Sequence, residues 1–396
     1  MSVSKKIDHI KESQTTAMTS LSMKLKSEGK DIVNLSAGEP DFPTPRNIKD
    51  AAIKAIRDNF TKYTQVEGTT ELREAVAEKF RRENGMEVDL PNILISSGGK
   101  QSIFNALQAI CNPGDEVIIP SPYWVSYPEM VKLVDAIPVI LRTREDKGFT
   151  FSVEDVASVL SKKTKAMIIN TPSNPTGSML DEATLRGISS LSDQHNFYII
   201  SDEVYEKIIY DGHKHFSIGS IPDIRDRVIT TSSVSKAYSM TGWRIGFMAA
   251  SEVIIKNATK IQSQTTSNPS SISQAAALEA IRGPQVEIEK MRLAFQRRRD
   301  IMLNKLSRIE GLVTMKPSGA FYLFPSIRKF LGKKHDTGEL KSSLDVAQYL
   351  LTKGRVALVP GGAFGSDDHI RISYACSDRE LVEAADRISN ALGNLR

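Results

Sequence analysis

The sequence predicts an α/β protein: a large domain on a mostly parallel sheet flanked by helices, and a smaller α+β domain after it. Three observations carry this. Short runs rich in β-branched residues alternate with helical patterns through the middle of the chain, as strands and crossover helices of a parallel sheet do. The runs close in polar or turn residues, where ligands of such sheets bind. Beyond about residue 285 the pattern changes to a long charged helix followed by several short strands.

The elements follow in order. Residues 1–47 are too short to fold alone and are read as an N-terminal arm and part of the small domain. Residues 48–285 form the large domain. Its runs are 92–99, 115–124, 166–177, 197–205, 227–236 and 245–251, and helical patterns follow the first two and separate the third from the fourth. Residues 286–396 form the small domain. With 396 residues, 40% hydrophobic and 25% charged, the chain has core material for two or three domains of roughly 150 residues. Neither an internal repeat nor a low-complexity stretch is present.

Lys and Arg number 52 against 47 Asp and Glu, a formal net charge of +5 spread along the chain. The densest basic run, Arg297-Arg298-Arg299 followed by Asp300, reads as a solvated helix face and not as a nucleic-acid surface. Cys111 and Cys376 cannot build a disulfide framework, so free thiols in a reducing compartment are expected. No apolar signal segment opens the sequence, and no run approaches the ~18 apolar residues of a membrane span, so a cytoplasmic protein is expected.

Several residues at run ends can carry chemistry. Lys236 closes 227–236, where partial burial and nearby Arg244 would favour the neutral amine needed for imine formation. Taken alone, a lysine at a strand end more often snorkels to solvent. Asp202 closes an apolar strand, either as a turn former or as a carboxylate beneath a protonated ring nitrogen. Tyr205, three residues on, faces the same side if a helical turn begins there, and Asn174 sits in a Pro-flanked turn. Both could hydrogen-bond an oxygen on the same ring.

Ser97-Gly98-Gly99-Lys100 joins a strand to a helix start, where backbone N–H groups attract an anion. Ser233, Ser235 and Arg244 add donors, and together these suit one phosphate monoester. GxGxxG is absent and the GGK lacks the first glycine of a P-loop, which sets aside dinucleotides and nucleoside triphosphates. Trp124 is either core or a planar lid over an aromatic ligand. Arg371, alternating with apolar residues on a strand, faces solvent or reaches into a site to hold a carboxylate.

The order NPTG, SDEVY, SSVSK and TGWR, closed by HIRISYA, resembles the class I, fold-type I pyridoxal-phosphate aminotransferases over essentially the whole chain. Within them the chain looks most like bacterial aspartate aminotransferases with GGKQ and SPYWVSYPEM. The resemblance implies pyridoxal 5′-phosphate, with Lys236 as the Schiff-base lysine, Asp202 on the ring nitrogen, and Tyr205 and Asn174 on the ring oxygen. It implies Trp124 as the stacking ring, Arg371 and Gly38 on the substrate α-carboxylate, and Ser233, Arg244 and the amides near Gly99 as the phosphate cup. Tyr63 matches a tyrosine that reaches the neighbouring subunit's phosphate, which implies a homodimer with shared sites.

The implied reaction moves the amino group of L-aspartate to 2-oxoglutarate by a ping-pong route. Ser263 stands where animal and enterobacterial relatives place an arginine for the distal carboxylate. The lysine of GGKQ takes that duty in the bacterial branch, so Lys100 is the candidate here, assisted by Ser13 and Thr15. Aromatic or neutral amino acids and prephenate are the alternative substrates, and a β-lyase the alternative reaction. Ser233 to Lys236 also fits the S-x-x-K of serine hydrolases, but their Ser-Asp-Asn and Lys-Thr-Gly partners are missing. A transcription regulator would need a DNA-binding domain ahead of the pattern, which already begins by about residue 30.

Overall fold

The computed structural model describes residues 5–12, 14–336 and 338–396. Its centre is a seven-stranded sheet. The strands are β1 Ile93–Ser96, β2 Glu116–Ser121, β3 Ile137–Arg142, β4 Thr164–Asn170, β5 Tyr198–Asp202, β6 Val228–Ser233 and β7 Gly246–Ala249. They lie in the order β1-β7-β6-β5-β4-β2-β3, all parallel except β7, which runs against both its neighbours.

Successive side chains of a strand point to opposite faces, and here both faces are covered. Ile119, Ile168, Ile200 and Ile229 pack with Ile103 and Leu107 of helix α1 (Gly99–Ile110) and with Ile254 of the helix Glu252–Thr265. Ile118, Ile169 and Ile199 turn the other way, onto Leu185 and Ile188 of the helix Glu182–His195. Asp181 caps that helix, accepting from the Thr184 N–H at 2.7 Å. A strand buried on both faces reads as an unbroken apolar run, which is why these strands stand out in the sequence.

The C-terminal part carries β8 Tyr322–Leu323, β9 Val359–Pro360 and β10 Ile370–Ser373, antiparallel in the order β9-β10-β8. Val33–Asn34 pairs in parallel with Val356–Ala357, and Met18 and Ile32 pack on Leu351 and Ala357. The segment around Gly38 is thereby carried from this part toward the large sheet.

The basic run is not a solvated face. Helix α2 (Val286–Leu306) leaves Arg297 outside but buries Arg298 and fully buries Arg299. Arg298 forms a two-pronged pair with Asp41 at 2.7 and 2.8 Å and stacks on Phe42, anchoring the strap that bears Gly38. Arg299 pairs with Asp211 and Asp300. Consecutive helix positions point about 100° apart, so three adjacent arginines cannot share one face. Among the described residues, no helix is long and apolar enough to cross a membrane.

Candidate active site

Parallel register aligns the ends of β4, β5 and β6: Asn170 lies opposite Asp202, and Asp202 opposite Thr231. Their carboxyl ends, the start of α1 and the chain after β2 open on one cavity of about 210 Å³. Gly38, Gly99, Lys100, Trp124, Asn174 and Asp202 line it, as do Tyr205, Ser233, Ser235, Lys236, Arg244 and Arg371. Thr15 also reaches it. A larger open cleft of about 840 Å³ lies among Lys334, Lys353, Arg355 and Arg387 and holds none of these residues.

Lys236 Nζ donates to the Gly38 carbonyl at 2.6 Å. Burial pulls its pKa down to about 8, helped by Arg371 and Arg244 and opposed by Glu39 and Asp202. Asp202 moves the other way, up to about 6, because burial penalises its charge, and Glu203 adds to that. The Tyr127 hydroxyl, 2.6 Å from Oδ2, and the Val204 N–H, 3.3 Å from Oδ1, hold it back, as does Lys236. Tyr205 meets the hydroxyl of Tyr322 at 2.9 Å, and burial raises its pKa well above the usual tyrosine value.

Arg371 is buried with its guanidinium 4.5 Å from the Tyr322 ring. It donates from Nη1 to Asn174 Oδ1 at 3.1 Å and from Nη2 to the Ser36 carbonyl at 2.8 Å, while its buried Nε has no partner. Burial lowers its pKa. Lys100 stands 5.0 Å from the Trp124 ring, its pKa lowered by burial and by Arg244. Trp124 meets Tyr127 edge to face at 5.3 Å.

The start of α1 makes an anion cradle. Gly98 has φ +90°, and a Cβ there would fall 2.0 Å from Arg244 Nη2, so only glycine lets the guanidinium close over the turn. Arg244 itself adopts a left-handed φ of 55°, a costly conformation for a residue with a side chain, and donates to the carbonyls of Thr241 and Ser97. Ser233 Oγ accepts from the Ser235 N–H at 3.2 Å.

Tyr63 does not join the cavity: it is 90% exposed. Ser263 is exposed and donates to its own helix at the Lys260 carbonyl. Ser13 lies outside the described residues. Sequence reasoning missed Tyr127, Tyr322 and Asn170, whose side chain accepts from Asn174 N at 2.8 Å and donates to the Asp202 carbonyl at 2.9 Å. Tyr127 could have been found, since it follows Trp124 by three residues at a helix start. Tyr322, in a run of aromatics, looks like any core residue.

Glu203, Glu206 and His215 come close enough for a metal, the one such group among the described residues. Lys79 and Asn84 already fill it, Lys79 bonding Glu206 and Asn84 donating to both carboxylates. It reads as a charge-balanced polar core behind β5.

Residues 30–388 match the family described as aminotransferase class I and II. A probable aspartate/prephenate aminotransferase of Rickettsia bellii is 48% identical, over 99% of each chain. The crystal structure of the aspartate aminotransferase from Rhizobium meliloti superposes with a TM-score of 0.96 at 41% identity, covering all of both chains. An aspartate aminotransferase from Thermus thermophilus with maleate gives 0.94 at 39%, over 99% of this chain and 100% of that one. The chain belongs to the class I and II aminotransferase family, an enzyme family whose cofactor here is pyridoxal phosphate.

The residues present fit that cofactor. The glycine turn and Arg244 suit its phosphate, Trp124 offers a flat wall, and Asp202 and Lys236 are buried groups with opposite pKa shifts.

Proposed function

We propose that this protein is an aspartate aminotransferase, moving the amino group of L-aspartate to 2-oxoglutarate and giving oxaloacetate and L-glutamate. One observation carries the reading. Arg371 is a buried guanidinium with an unpartnered Nε, and its hydrogen bonds go to Asn174 and the Ser36 carbonyl, neither of them a carboxylate. A buried cation without an anion is costly, so the site is built to take a carboxylate from outside. Lys100, a second cation on the same cavity, suits the distal carboxylate of a dicarboxylic substrate.

When bound, pyridoxal phosphate supplies an aldehyde that takes up the amino group and a ring that spreads the electron pair left at Cα. Arg371 and the Gly38 backbone hold the α-carboxylate, and Asn174 orients the guanidinium. Lys236, its pKa drawn down by burial to about 8, would serve as the base for the Cα proton and as the acid that gives it back. Asp202 would hold a proton on the ring nitrogen. Tyr205 and Asn174 would donate to the ring oxygen, and Ser233, Ser235, Arg244 and the N–H groups of Gly99 and Lys100 would hold the phosphate. Trp124 would cover one face of the ring and limit entry of water. The two half-reactions share one site, hence ping-pong kinetics.

The same reading includes a cytoplasmic homodimer in which Tyr63 reaches the neighbouring phosphate, and a small domain formed by residues 1–47 and 286–396 that brings Gly38 and Arg371 to the large one. Sedimentation of the holoenzyme at twice the chain mass supports it, and a monomer that binds cofactor at full strength overturns it. Prephenate is a second acceptor to test, favoured by the name of the Rickettsia relative.

The deciding experiment is the absorption spectrum of the holoenzyme. L-aspartate should collapse the yellow band and 2-oxoglutarate should restore it. A yellow protein that ignores aspartate overturns the substrate assignment, and a protein that takes up no cofactor overturns the whole reading.

A further inference from the structure

Tyr127 is buried at the start of the helix Ser126–Leu133, its N–H bonded to the Trp124 carbonyl at 3.0 Å. Its ring stands edge to face with Trp124, at 85°, and its hydroxyl donates to Asp202 Oδ2 at 2.6 Å. One side chain therefore touches both the flat wall and the buried carboxylate of the cavity. We propose that Tyr127 is a positioning residue for the cofactor's ring nitrogen, acting through Asp202: its hydroxyl fixes the carboxylate in orientation and in the ionised form. This rests on the placing of Asp202 against that nitrogen.

The electrostatics require such a donor. Asp202 is buried, with Glu203 next to it in the chain, and both features favour the protonated acid. Tyr127, the Val204 N–H and Lys236 oppose them, and of the three Tyr127 is the strongest. Tyr205, also near Asp202, is held far above its usual pKa by burial and stays neutral. A cofactor held on Lys236 would take its ammonium charge away from Asp202. Beside the protonated ring nitrogen itself, Tyr127 is then the strongest protein group keeping the carboxylate charged. A protonated Asp202 cannot accept from the ring nitrogen with full strength.

The test is a double-mutant cycle on pyridoxamine phosphate affinity, read by fluorescence, with Tyr127→Phe, Asp202→Asn and the double variant. Tyr127→Phe removes one oxygen and keeps the ring against Trp124. It should weaken binding about tenfold in the natural background, the scale of a hydrogen bond to a charged group, and less than about twofold beside Asp202→Asn. Equal losses in both backgrounds overturn the proposal, whereas an Asp202→Asn variant that binds as the natural protein does overturns the Asp202 assignment itself. A second readout is the ¹⁵N signal of labelled ring nitrogen in the holoenzyme. In Tyr127→Phe its proton should be lost at a pH lower by about one unit, a tenfold change in its equilibrium. An unmoved titration overturns the proposal even if the variant is less stable.

Discussion

Arg371 on β10 donates to Asn174, 197 residues earlier, in the turn after β4, at 3.1 Å. The hydrogen bond joins the small C-terminal sheet to the large sheet at the point where a carboxylate would be held. It also aims the guanidinium, because a planar fork bonded through Nη1 and Nη2 has little freedom left. Arg371→Lys keeps the charge and loses the fork. We expect kcat/KM for aspartate to fall by roughly 30- to 150-fold, about 2–3 kcal/mol, with the cofactor still bound. Steady-state kinetics with a cofactor spectrum checks this.

Lys236→Ala should abolish the borohydride-trapped cofactor adduct and slow transamination by about 10⁴-fold. Intact mass after reduction is the readout. A trapped adduct at the natural yield would place the reactive amine elsewhere.

Lys100→Ala should raise KM for aspartate by about tenfold or more while leaving a neutral amino acid nearly unchanged, since only the distal carboxylate loses a partner. Equal losses for both substrates would make Lys100 a phosphate-side residue.

Cofactor capture by the apoprotein should follow the neutral fraction of Lys236. Its folded pKa of about 8 lies below the ordinary lysine value, so neutral amine accumulates as pH rises through that point. The capture rate should therefore climb about tenfold per unit below pH 8 and level off above it. A rate still climbing at the ordinary lysine pKa would mean that the amine is solvated.

The arginine run gives a stability test. Arg299→Ala takes its two-pronged partner from Asp211, which keeps Lys316, and opens a fully buried space, and should cost about 3–5 kcal/mol in urea unfolding. Arg297→Ala, an exposed pair with Asp378, should stay within about 1 kcal/mol.

Much of this was legible in one dimension. Ile168-Ile169 and Ile199-Ile200 read as buried strands because a parallel sheet hides both faces, and Asp202, Ser233 and Lys236 fall at or just past strand ends because the cavity does. The Arg297–Arg299 run was not legible, since composition does not say which helix face meets Asp41 or Asp211. Tyr127 and Tyr322 were also hidden, because an aromatic beside a site and an aromatic in a core have the same local sequence.

The sequence by itself determined the alternation of strand and helix, the glycine turn at Gly98 and the order of the reactive residues, because these depend on local backbone preference and on chemistry carried by one side chain. Only the tertiary structure decided that β7 runs antiparallel, that Arg371 meets Asn174 and Tyr127 meets Asp202, and that Lys236 and Asp202 are buried. Those are contacts between residues far apart in the chain, and burial, which sets both pKa shifts, exists only once the sheets have closed around them.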